Sequence, residues 1–352
     1  MSRIVGNIEL YMGPKQLGAP DDLRKVIVGF IDKAQSSLRI AVQELDSRAI
    51  ANAIVRAKQR GVQVQLVVEA DYLREAKPKK DPFTDGGEHE ANRRLQNAIL
   101  RVAVVVHADF NPDIFHQKFI VRDNQSLLTG SANFTDTDAS VNLNHVVIVH
   151  DAEVARSYGR EFDEIRQGHF GRLNEGHDVT PPEVLVSNVR VKPLFAPDHN
   201  PEMEIMKQIA KAKKRVDFAI FTFASSSGID DQMVLAKNAG VKVRGALFTS
   251  QANQVWSASE TLANAGIRFR LVPRAGLPEP APRKLHHKLM VIDRQVVIVG
   301  SFNYTHPANF LNDENILVIG DMDSTDADSV SKQKLLAGFA LEEIDRMIAA
   351  FA

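Results

Sequence analysis

The chain has 352 residues, 44% of them hydrophobic, with 43 Lys plus Arg against 44 Asp plus Glu. That length fills two domains of ordinary size, and near-cancelling charge leaves any preference for an anionic partner to local patches. The absence of cysteine excludes disulfides, thiolate catalysis and cysteine-ligated metal centres.

In chain order, the first nine residues have no charged segment leading into an apolar run, which reads as an unexported, cytoplasmic protein. Apolar runs such as Val102 to Val106 and Val296 to Val299 fall far short of the roughly 20 residues of a membrane-spanning helix. Leu23 to Ala34 has helical spacing, and Ser37 to Val42 is a short, partly β-branched strand. Ala57-Lys58 before Gly61-Val62 continues the alternation. Lys77 to Glu88 is a polar, turn-rich insertion: 34 residues separate Gly61 from Leu95, against 22 between Gly240 and Leu262. It reads equally as a lid over a site or as a tolerated surface loop. Gly168 to Pro182 is rich in glycine and proline and marks a boundary, giving halves 1–175 and 176–352. Met203 to Lys214 and Arg215 to Ile220 then repeat the helix and strand of the first half. Lys332 to Ala352 has an apolar stripe at helical spacing and is expected to cap the second half. Such alternation predicts α/β units, sheets covered by helices.

The strongest signal is a spaced motif present twice. His116, Lys118, Asp123, Gly130, Ser131 and Asn133 recur as His286, Lys288, Asp293, Gly300, Ser301 and Asn303, each displaced by 170 residues. Apolar runs on either side of each aspartate predict a β-hairpin with Asp123-Asn124 or Asp293-Arg294 in its turn. Histidine and lysine at i and i+2 then share a strand face, and serine and asparagine join them from the neighbouring strand's end. Such a pocket of donors suits a tetrahedral oxyanion such as phosphate. The aspartates, in the turns, are expected to be structural, as an Asx-turn or an ion pair. His287 falls on the face opposite His286 and is expected to pack.

The pattern His-x-Lys-x4-Asp-x6-Gly-Ser-x-Asn, twice in one chain, resembles the phospholipase D superfamily, and with the upstream repeat the resemblance covers nearly the whole sequence. It implies two similar α/β units whose motifs meet at a pseudo-two-fold axis. It also implies a phosphodiesterase or phosphatidyltransferase in which one motif histidine attacks phosphorus to give a phosphohistidine and the other protonates the leaving oxygen. An imidazole needs only modest tuning for either role. Lys118, Lys288, Asn133 and Asn303 would bind the non-bridging oxygens, with Ser131 and Ser301 assisting. The chemistry requires no cofactor or metal, since these cations and donors supply the charge stabilisation.

In this superfamily an acidic residue 28 positions after the motif histidine commonly orients the histidine of the opposite half. Here that position holds Glu314 after His286 but Asn144 after His116. The resemblance then implies that Glu314 serves His116, while Asn144 orients His286 without adding charge, favouring His116 as nucleophile and His286 as acid and base. For the substrate, Arg268, Arg270, Arg274, Arg283, Lys284 and the insertion's Lys77, Lys79 and Lys80 favour nucleic acid. A phospholipid head group is the alternative, and a binding module that has lost activity is a third reading, against which both histidine-lysine pairs count.

Overall fold

The computed structural model describes residues 3–351 except 175, 177, 178 and 274–278. Its first half runs β1 (Arg3–Val5), β2 (Ile8–Gly13), α1 (Leu23–Asp32), β3 (Ser37–Val42), α2 (Arg48–Gln59), β4 (Gln63–Glu69), α3 (Glu90–Arg101), β5 (Val105–Asp109), β6 (Lys118–Arg122), β7 (Ser126–Gly130), α4 (Asp136–Ser140), β8 (Asn142–Val149) and α5 (Ala152–Arg166). The second runs β9 (Val184–Val186), β10 (Val189–Ala196), α6 (Pro201–Ala210), β11 (Arg215–Ile220), α7 (Ile229–Asn238), β12 (Lys242–Phe248), α8 (Thr249–Ala252), α9 (Ser259–Asn264), β13 (Arg268–Val272), β14 (Lys284–Leu285), β15 (Lys288–Ile292), β16 (Val296–Gly300), α10 (His306–Phe310), β17 (Glu314–Ile319) and α11 (Ala327–Ala350).

The two mixed sheets have the same topology. One is ordered β1-β2-β8-β7-β6-β3-β4-β5, and the other, read from its opposite edge, is β9-β10-β17-β16-β15-β11-β12-β13. The strands β3, β4 and β5 are parallel, as are β11, β12 and β13, while the motif hairpins β6–β7 and β15–β16 are antiparallel. Each sheet is drawn from one side of the Gly168 to Pro182 stretch, apart from β14, which pairs with β8 of the first sheet. Each half opens with a hairpin, β1–β2 or β9–β10, ahead of the helix at which the sequence repeat becomes legible.

The near-continuous apolar strands have both faces covered. In β6, Phe119 and Val121 enter a central core while Ile120 enters an outer one. In β15, Leu289 and Val291 enter the same central core while Met290 and Ile292 enter the second outer core. Period-two alternation thus sends neighbouring residues to different layers. The helix α5 packs on its own β3, β6 and β7 and on β10 of the other half. The helix α11 does the converse, packing on β11, β12, β13, β15 and β16 and on β1 and β2. The carboxyl-terminal helix therefore fills the space between the sheets, and does not cap the second half alone as its apolar stripe suggests. Its buried Leu336, Phe339, Ile344 and Met347 each contribute about 1.5–3 kcal/mol of burial, which welds the halves together.

Candidate active site

Each motif aspartate clamps the loop that feeds its sheet. Asp123 and Asn124 have φ of 55° and 53°, and Asp293 and Arg294 of 50° and 57°, the left-handed pair that a tight hairpin needs. The Asp123 carboxylate accepts from the backbone N–H of Ser36 (2.7 Å) and Ser37 (2.9 Å), and Asp293 from those of Lys213, Lys214 and Arg215 (2.7, 2.8 and 2.7 Å). The structural role is a backbone clamp, a form other than the Asx-turn or ion pair expected. At Gly130 a Cβ would lie 2.3 Å from the His145 carbonyl oxygen, and at Gly300 2.2 Å from that of Asn315. The two glycines let the hairpin's second strand close onto β8 or β17.

The halves exchange their motif histidines. Phe115 bridges Asp313, and the His116 N–H donates to the Asp313 carbonyl at 3.0 Å. Reciprocally, Leu285 pairs with Leu143, to whose carbonyl the His286 N–H donates at 2.9 Å. Each imidazole is thereby delivered to the first residues of the other half's strand. His116 Nδ1 lies 2.7 Å from Glu314 Oε2, and His286 Nδ1 lies 3.0 Å from Asn144 Oδ1. With each Nδ1 held from behind, Nε2 is left for the cavity that both rings line.

Ser131 and Ser301 depart from the expectation of phosphate donors. Each is buried and gives its one hydroxyl proton inward, Ser131 to Asn144 Oδ1 at 2.8 Å and Ser301 to Glu314 Oε2 at 2.5 Å. Each hydroxyl oxygen also accepts a backbone N–H, from His145 and Asn315 respectively. Asn144 is fully buried behind His286. The motif groups left lining the cavity are the histidines and the asparagines, with the lysines buried beside them.

Lys118 donates to the His116 carbonyl (2.6 Å) and to Gln43 Oε1 (3.3 Å), and Lys288 to the His286 carbonyl (3.0 Å). Among the described residues, neither buried ammonium has a carboxylate within ion-pair distance. Burial pulls Lys118 down to about 8 and Lys288 well below the usual lysine range, the latter also through the charge of Lys118. Burial and then the lysines hold both His116 and His286 well below the ordinary histidine value, so each Nε2 carries a lone pair at neutral pH. Glu314 is pushed up to about 8 by burial, against the pull of Lys118 and Ser301. The amide oxygens of Asn133 and Asn303 are buried without a hydrogen-bond partner, and both residues line the cavity. Two buried ammoniums short of an anion beside a cavity of about 400 Å³ suit a phosphate, to which the asparagines that line it can offer their amide N–H groups.

Four further residues shape the cavity. Glu44, Asp46, Tyr72 and Phe221 line it together with Arg283 and Lys284. The Phe221 ring meets His286 edge-on at 5.0 Å and takes the Lys288 ammonium 5.1 Å from its centroid. Asp138 Oδ2 lies 3.5 Å from His286 Nδ1. Asn144 is therefore not alone behind His286: a carboxylate stands beside it. No repeat signal marks these side chains: Glu44 falls opposite Thr222 in the strand register, and Asp138 opposite Ala308 at the motif's displacement.

Other expectations resolve plainly. His287 is buried, stacked on His145 with ring centroids 5.4 Å apart, and its Nε2 faces Glu343. The insertion from Lys77 to Glu88 is exposed and absent from the cavity lining; Tyr72 before it reaches the site and packs against His89. The basic cluster divides: Arg283 and Lys284 line the cavity, Arg268 and Arg270 border a separate groove at the β13 edge, and Arg274 lies outside the described residues.

Residues 27–166 and 205–332 match a family described as cardiolipin synthase, phospholipase D-like domain. A phospholipase D of Rickettsia conorii is 30% identical over 139 residues, 40% of this chain and 62% of that protein. Human mitochondrial cardiolipin hydrolase is 30% identical over 133 residues, 38% of this chain and 46% of that protein. The chain thus spans less than two thirds of these relatives. The crystal structure of phosphatidylserine synthase from Haemophilus influenzae superposes with a TM-score of 0.65 at 14% identity, covering 97% of this chain and 86% of that one.

Proposed function

The chain belongs to the phospholipase D superfamily, and from that premise we propose that it is a phosphodiesterase acting through a covalent phosphohistidine. The observation that carries this reading is the exchange of histidines over two buried lysines. Lys118, Lys288, Asn133 and Asn303 hold the non-bridging oxygens. His116 Nε2 donates its lone pair to phosphorus, the P–O bond to the leaving group breaks, and His286 gives its Nε2 proton to the departing oxygen. The anionic substrate offsets the lysine charges and so favours the protonated His286 that this step needs. Water then attacks phosphorus as His286 takes its proton, the P–N bond breaks, and His116 is restored. His116 is the nucleophile because Glu314 is its nearer acidic partner, at 2.7 Å against 3.5 Å for Asp138 and His286, and the positive charge that develops on His116 favours the ionised glutamate over the protonated form that burial promotes.

The substrate we assign is a nucleic-acid strand, whose flanking phosphates Arg283 and Lys284 are placed to hold at the cavity wall. A phospholipid is the second reading, supported by the relatives' names and by Ile114, which lines the cavity while 44% exposed. Incubation with single-stranded DNA, duplex DNA, RNA and phospholipid vesicles, with EDTA throughout, tests both readings. Strand cleavage that survives EDTA supports the proposal. Head-group release without cleavage overturns the substrate, and loss of all activity with EDTA overturns the metal-free route. Phosphorus trapped on His286 in H116A, with none on His116 in H286A, would reverse the histidine roles.

A further inference from the structure

We propose that Asp138 is the positioning residue that supplies His286 with its negative charge, so that in the first half the task of one glutamate is divided between two side chains. This rests on the phosphohistidine reading above. In the second half, Glu314 Oε2 alone accepts the Ser301 hydroxyl and His116 Nδ1. In the first half, Asn144 accepts the Ser131 hydroxyl and His286 Nδ1, whereas Asp138 Oδ2 accepts the Asn133 backbone N–H at 2.6 Å and lies 3.5 Å from the same Nδ1. Both connections made by Glu314 are reproduced by Asn144, and the carboxylate that the amide lacks stands beside it as Asp138.

The pair is rigid. Asp138 sits in the first turn of α4, its N–H capped by Thr135, and its second carboxylate oxygen accepts from the Asn142 amide. The Asn144 amide nitrogen donates to the Asp138 and Asn142 carbonyls, which fixes its oxygen toward the imidazole. The displaced position agrees with the chemistry: where Asn144 replaces the acid, Asp138 stands opposite Ala308, and where Glu314 provides the acid, its half needs none there. The other groups around His286 are cationic or neutral: Lys288, Lys284 and Lys118, His116, and the Phe221 ring. Glu44 and Asp46 lie further along the same wall, beside Asp138. Asp138 is thus the carboxylate in contact with His286 among the described residues.

The test compares the full chain with D138N, which keeps one acceptor oxygen but loses the charge, and with D138A/N144E, which transplants the second half's arrangement. The titration midpoint of His286, followed by NMR of the histidine-labelled protein with inorganic phosphate present, is expected to fall by about one pH unit in D138N. It should return to near its starting value in D138A/N144E. The alkaline limb of kcat should move the same way, which a merely structural aspartate would not cause. A midpoint unchanged in folded D138N, or unrestored in folded D138A/N144E, overturns the proposal. The NMR midpoint does not depend on turnover: a shifted midpoint in a protein inert toward every phosphodiester would sustain Asp138 and refute the reaction.

Discussion

Glu314 reaches His116 from the far half of the chain, and its Oε2, 2.7 Å from the imidazole Nδ1, is the same oxygen that takes the Ser301 proton. Glutamine at this position can still accept both bonds but carries no charge to set against the imidazolium or the phosphohistidine. E314Q is therefore expected to fold with little change in Tm and to lose roughly 10- to 100-fold in kcat, the usual effect of removing such an outer partner. Rapid-quench measurement of the phosphohistidine should place the loss in its formation.

The serines behind the acids make a sharper distinction. A hydroxyl that binds phosphate would raise KM when removed, whereas one that steadies Glu314 or Asn144 alters the histidine. S301A and S131A are each expected to lower kcat by about tenfold with KM nearly unchanged. Steady-state kinetics of both variants, at matched folded fraction, check this; a KM effect as large as the kcat effect would return the serines to the substrate.

Much of this was legible because duplication marks chemistry. Both hairpins, the strands β3 and β11 to the residue, and the Glu314 to His116 contact follow from the repeated motif and its family resemblance. Asp138 was hidden because it stands opposite Ala308, so comparing halves discards it as unmatched. The serines were misplaced because a strand's end faces both the cavity and the packed layer beneath, and only coordinates tell which. The helix α11 read as a cap since its apolar stripe shows that it packs, without saying on which sheet.

The Asp123 clamp should govern acid stability. Burial opposes its charge, yet the backbone N–H groups of Ser37, Ser36 and Gln35 together hold its carboxyl below the usual value. A depressed folded pKa means stability that is present above the unfolded value near 3.9 and lost as pH falls through the folded one. D123A is expected to cost about 1–3 kcal/mol at pH 7, tempered by partial exposure, with the deficit closing in strong acid. Urea midpoints of both proteins from pH 7 to pH 2.5 measure it.

Glu44 works in the opposite sense. Burial, then Asp46 and Asp138, raise its carboxyl to about 7. A raised folded pKa means that the folded chain holds the proton longer, so stability is full below the unfolded value near 4.3 and declines as pH rises through 7. E44Q removes that decline. It should match the parent near pH 4.5 and exceed it by about 1–3 kcal/mol at pH 8.5, after allowance for solvent at the cavity mouth. Thermal unfolding at the two pH values decides; equal gains at both would mean that packing and not charge is responsible.

Arg283 and Lys284 separate the two substrates. They stand at the cavity wall next to His286, where a strand threaded through the site would present its neighbouring phosphates. Each phosphate neutralised on a single strand contributes roughly 0.7 to the slope of log affinity against log salt. R283Q/K284Q is therefore expected to weaken single-strand binding and to flatten that slope by about 1.4, with phosphohistidine chemistry on a small diester unimpaired. A phospholipid substrate would make the opposite demand, because head-group contact falls on the cavity floor and the vesicle surface meets Ile114, which is 44% exposed. I114S would then reduce turnover on vesicles while leaving a small soluble diester untouched. Measuring both variants on both substrates gives four rates. A fall confined to nucleic acid in R283Q/K284Q fixes the strand as substrate, and a fall confined to vesicles in I114S replaces it with lipid.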